Sequence, residues 1–121
     1  VKKLAVLLML LFSIHAQAQT REWTDEEKAW GAITGTLLLA DWSTSQNMSH
    51  RYNEGYYERN LILGRHPSSN AISLHFLVAT PLIFLAADQF PEYRKTILQA
   101  TSLVELIVVS NNLRLGLHFQ F

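Results

Sequence analysis

Cysteine is absent from the 121 residues, which excludes disulfide staples, thiolate nucleophiles and cysteine-ligated metals. An excess of either charge is missing too. Ten Lys and Arg balance ten Asp and Glu, and they are scattered along the chain, so the basic patch expected of a nucleic-acid partner is not there. No internal repeat, low-complexity segment, cofactor-binding motif or diagnostic catalytic motif is present. A chain this small without disulfides must take its stability from packing, from a partner or from lipid.

The first residues read as an export signal. Lys2 and Lys3 form a basic start, residues 4–14 an apolar run, and Ala16-Gln17-Ala18 a small-x-small cleavage site. The apolar run falls short of the roughly 20 residues that a bilayer core requires. Cleavage after Ala18 is therefore expected, leaving 19–121 as one helical membrane domain.

Thr24-Asp25-Glu26-Glu27 has the form of a capping box and predicts a helix start. That helix continues through an uncharged core bracketed by Trp30 and Trp42, and with the polar residues 43–48 added it becomes long enough to cross a bilayer, though only marginally apolar. A polar span, 47–70, follows with Asn53, Gly55, Gly64 and Pro67 as breakers. Residues 71–87 carry His75 as their one ionisable group, and Pro81 in their middle is tolerated far better in a membrane helix than in a soluble one. Pro91 is placed to open a third helix, from about 92 to 111, interrupted by Glu105. The tail from 111 to 121 alternates apolar and polar residues like an outer-membrane strand, but a barrel needs at least about eight strands and the rest of the chain lacks that period. The expected fold is all-α: a small bundle of about three membrane-associated helices after a signal peptide.

At 100° per residue, Thr34, Asp41 and Ser45 share a stripe with Thr44 beside it, Thr101, Glu105 and Asn112 share another, and His75 lines up with Ala71, Ala79 and Ala86. Each helix thus carries one polar line with one titratable group. Ionisable residues inside a membrane face the bundle interior and a partner, so Asp41, His75 and Glu105 are candidates for a proton or metal site, or for hydrogen-bonded glue between helices. No His-x-x-x-His or Glu-x-x-His pair fixes two ligands on one helix. Gly31-x-x-x-Gly35 and the alanine line suit close helix packing.

The stretch YYERNLILGRHPSSN, 56–70, reads as a structured connector and not as a catalytic site. Gly64 can supply a positive-φ turn, Pro67 holds His66 extended, and Ser68 or Ser69 can cap the next helix. Glu58 and Asn60 are free to bind backbone amides or to pair with Arg59 or Arg65. Tyr52, Tyr56 and Tyr57 suit a headgroup belt.

Asp41-x-x-Thr44, then Glu58-x-Asn60, Leu63-Gly64 and Pro67-Ser68, together resemble a group of small uncharacterised bacterial and phage membrane proteins. In that group a D-x-x-T helix end is followed by E-x-N-P-x-L-G and often by P-S. The resemblance covers residues 38–85, and Leu61 stands where the group usually has proline, which predicts a looser turn. It implies a membrane location and no activity.

The expected protein is a small exported component of the bacterial inner membrane, structural or accessory, with lipid as partner and another membrane protein or a second copy as further partner. The alternatives are a periplasmic helical binding protein, soluble or peripheral, and a metal- or proton-handling membrane protein using Asp41, His75 and Glu105. Arg51, Arg59 and Arg65 on one side balance Arg21, Lys28, Arg94 and Lys95 on the other, so the positive-inside count selects no orientation.

Overall fold

A computed structural model describes residues 21–121. The expected signal peptide and its cleavage site lie outside them. Among the described residues the chain is helical, without strands: α1 is Asp25–Ser49, α2 Ser69–Gln89 and α3 Arg94–Arg114, with a short 3-10 turn at Tyr52–Glu54. α1 packs against both others, most extensively on α3.

Each helix begins where the sequence supplies a partner for its free amides, with one exception. The Thr24 hydroxyl accepts from the Glu27 amide at 3.1 Å while Glu27 Oε2 accepts from the Thr24 amide at 2.8 Å, closing the capping box. Ser68 Oγ accepts from the Ala71 amide at 3.1 Å and caps α2. α3 starts at Arg94, two residues later than expected, because residues 91–93 form a turn, and it has no side-chain cap. α2 runs unbroken through Pro81.

The interior is more polar than the surface. Among the described residues, seven hydrophobic side chains are buried against ten polar or charged ones. The outward faces of α2 and α3 instead carry bare aliphatics, among them Leu74, Leu77, Val78, Leu103 and Ile107. Both helices are 21 residues long, and each contains an 18-residue stretch, of mean hydropathy 1.7 and 1.2 respectively, long and apolar enough to cross a membrane.

The polar residues Ser43 to Asn47 of α1 are all buried, and each cover is specific. Gln46 donates to Ser69 O at 3.1 Å and to Ser73 Oγ at 3.0 Å in α2. The tail closes the other side: Ser43 Oγ accepts from the Gln120 amide at 2.7 Å, and Asn47 meets His118 and Gln120. The tail's alternation is thus used without a strand, with Leu117 buried, Phe121 6.2 Å from the Trp42 ring, and His118 and Gln120 turned to α1.

Opposite, the end of the bundle near Thr24 is locked by Arg94, whose side chain is 0 % exposed. Its guanidinium donates to the carbonyls of Ala87 (3.0 Å), Asp88 (3.1 Å) and Arg21 (3.0 Å) and to Glu27 Oε2 (3.3 Å), and it lies 4.8 Å from the Trp23 ring. Glu27 also pairs with Arg21. Burial alone would raise the Glu27 carboxyl, but the Thr24 amide and the Arg21 and Arg94 guanidiniums overcome it and hold its pKa down at about 2. Gly31 serves a different neighbour from the helix backbone expected of a Gly-x-x-x-Gly pair. A Cβ there would sit 3.2 Å from Trp23 Cζ3, and the Phe84 ring lies over both Gly31 and Gly35.

Candidate functional site

Asp41 of α1 and Glu105 of α3 are brought together. Asp41 lies eight residues before the end of α1 and Glu105 nine before the end of α3, so at about 1.5 Å per residue both sit roughly 12–14 Å inside the bundle. Their carboxyl groups face each other closely enough to interact, and both line the same cavity. A hydrogen bond between them would need one proton, since two bare carboxylates have none to donate. Asp41 Oδ1 also accepts from Ser45 Oγ at 3.3 Å and faces Asn112 Nδ2 at 3.5 Å, and Asn112 donates to Thr44 Oγ1 at 2.9 Å. Glu105 Oε2 is buried without a hydrogen-bond partner.

The inward seam of α3 is Leu98, Ser102, Glu105, Val109 and Asn112, spaced by three and four residues. Thr101, expected on it, is displaced to the side and back-bonds to Ile97 O at 2.8 Å. Ser102 takes its place: Thr34 Oγ1 is within 2.8 Å of Ser102 Oγ and donates toward Leu98 O at 3.1 Å, joining α1 to α3.

Above the acid pair is a cavity of about 1210 Å³ between α1, α3 and the connector, lined by Asp41, Glu105, Glu58, Asn60, Tyr57 and Phe76 among others. Glu58 is near enough to Asp41 for their charges to interact. His75 does not join the pair. It meets Asn60 Nδ2 at 3.3 Å through Nε2, which ties α2 to the connector. Among the described residues no three His, Asp or Glu side chains are grouped so that they could hold a metal ion.

The connector owes its shape to Glu58 and Asn60. Glu58 Oε1 accepts from the amides of Arg59 and Asn60 at 2.8 Å each, and Asn60 Oδ1 accepts from the Ile62 amide at 2.9 Å. Asn60 O accepts from the amides of Leu63 and Gly64 at 3.1 Å, and the Glu58 amide donates to Arg65 O at 2.8 Å. Glu58 therefore binds backbone amides and forms no ion pair with Arg59 or Arg65. Gly64 has φ +78°, the left-handed conformation its position requires. With leucine in place of proline at 61, it is the hydrogen bonds of its neighbours that hold the turn. The Leu61 amide itself makes no hydrogen bond among the described residues, so proline there would displace none.

Two of the three tyrosines expected in a headgroup belt are half-buried and donate to backbone carbonyls. Tyr52 donates to Pro67 O at 2.6 Å and Tyr56 to Leu115 O at 2.7 Å, whereas Tyr57 is exposed. Sequence reasoning missed Arg94 and the tail residues His118 and Gln120. Their partners lie more than 60 residues away, apart from the Ala87 and Asp88 carbonyls. No protein-family model, curated protein or solved structure matches the chain.

Proposed function

We propose that this is a small integral protein of the bacterial inner membrane, an accessory component whose working part is the proton-bearing Asp41–Glu105 pair. The observation that carries the membrane reading is the inverted partition: ten polar against seven hydrophobic buried side chains, with aliphatics outward on two helices of membrane-spanning length. Water would reward the opposite arrangement, whereas lipid rewards this one, because polar groups in hydrocarbon must find partners inside the protein. The resemblance of residues 38–85 to small membrane proteins supports the same reading.

The depth of the acid pair, the third carboxyl at Glu58 and the cavity above them support proton exchange over simple helix glue. Glu105 Oε2 is buried with no hydrogen-bond donor on it, so the carboxyl that faces Asp41 is held by no neutral side chain of its own. The chemistry available is uptake and release of one proton through the cavity, with Asn112, Ser45 and Thr44 holding the carboxyls in place.

Two measurements test this. The mature chain should stay with membranes after an alkaline carbonate wash; release into the supernatant would favour the periplasmic alternative. In lipid nanodiscs, isotope-edited infrared spectra should show a protonated carboxyl band at neutral pH that both Asp41→Asn and Glu105→Gln remove. A spectrum without that band would leave the pair as two ordinary carboxylates and end the proton reading.

A further inference from the structure

Leu61 and Ile62 project from the tip of the connector 98 % and 84 % exposed. They are not on a floppy loop, since the amides of residues 58, 59, 60, 62, 63 and 64 are all bonded within the turn. A rigid turn that holds two large aliphatics away from the protein gains nothing in water. Their flanks are cationic. Arg59 and Arg65 lie 5.9 and 4.7 Å from the centre of the exposed Tyr57 ring, and neither has a carboxylate within ion-pair distance among the described residues. The other arginines, Arg21, Arg51, Arg94 and Arg114, are engaged with Glu27, Glu54, Glu27 and Asp88, and Asn111 respectively.

We propose that the connector tip is a docking site for anionic phospholipid: Leu61 and Ile62 enter the headgroup boundary while Arg59 and Arg65 hold lipid phosphate, with Tyr57 between them at the interface. Charge complementarity selects this occupant, because two unpaired guanidiniums match a phosphodiester bidentately and the neighbouring aliphatics match its acyl chains. A free phosphate would use the arginines and leave Leu61 and Ile62 in water. The proposal rests on the membrane reading above and adds to it a specific lipid and a specific contact.

The absence of cysteine makes the test clean. Ile62→Cys, and separately Asn53→Cys in the 3-10 turn that precedes the connector, carry an environment-sensitive fluorophore in vesicles of phosphatidylcholine with and without phosphatidylglycerol, both doped with nitroxide-labelled lipid. The label at 62 should be quenched and blue-shifted, and the label at 53 should not. Phosphatidylglycerol should strengthen the response at 62 by roughly fivefold in seated against unseated tip for each arginine, and Arg59→Gln with Arg65→Gln should abolish that dependence. Soluble glycerol phosphate should not compete. Equal quenching at 53 and 62, a response indifferent to phosphatidylglycerol, or loss of the response on adding glycerol phosphate would each overturn the proposal. Carbonate retention of the same vesicle-bound protein reads the membrane assignment separately, so a washed-off protein fails that assignment and not the tip.

Discussion

Replacing Arg94 probes the part of the fold least visible in the sequence. Its guanidinium bonds to three carbonyls and to Glu27 Oε2 at 3.0 to 3.3 Å from a fully buried position. Methionine fills much of the same volume and offers no donor. Breaking a buried pair by deleting one partner costs about 3–5 kcal/mol, and because Glu27 keeps Arg21 and the Thr24 amide, the expected loss for Arg94→Met is at the lower end, about 3 kcal/mol. Arg94→Lys keeps the charge and reaches fewer acceptors, so about half that loss is expected. Reversible unfolding in mixed micelles, followed by far-ultraviolet circular dichroism, should rank wild type above lysine above methionine. Glu27→Gln combined with Arg94→Met should cost less than the two singly, because the second change removes a charge the first left unpaired. If Arg94→Met lay within about 0.5 kcal/mol of wild type, the locking role of this residue would be refuted.

The depressed Glu27 carboxyl, with a pKa of about 2 against an ordinary 4.5, contributes stability that is fully present above 4.5 and is lost as pH falls toward 2; acid titration of Glu27→Gln should be flatter through that window, and an unchanged profile would assign the acid transition elsewhere. Gly64→Val forces a β-branched residue to φ +78° and should destabilise by about 1–3 kcal/mol, with a wild-type melting temperature counting against a strained turn. Leu61→Pro should be neutral or stabilise by up to about 1 kcal/mol, since it displaces no hydrogen bond and restricts the unfolded chain; marked destabilisation would show that residue 61 does not accept the proline angle. Glu105→Ala should lower detergent-solubilised stability more than Gln99→Ala, because Glu105 meets Asp41 across the seam; equal melting temperatures would remove that inward role.

The sequence by itself determined what depends on neighbours within about one or two helical turns. Thr24 with Glu27, Ser68 with Ala71, and the positive φ of Gly64 are local bonds and angles that any chain with those residues can form. Spacings of three and four residues put Asp41, Ser45, Glu105 and Asn112 on inward lines before any partner was known. Only the tertiary structure decided which lines meet. It joined Asp41 to Glu105 and left His75 with Asn60, and it exchanged Thr101 for Ser102 on the seam, a rotation of one position that periodicity tolerates. It also made Arg94 a buried hub and turned an apparent strand into the cover of α1. The carbonyls and amides that give Arg94, His118 and Gln120 their roles lie mostly more than 60 residues from them, and no pattern along the chain encodes contact across such a distance.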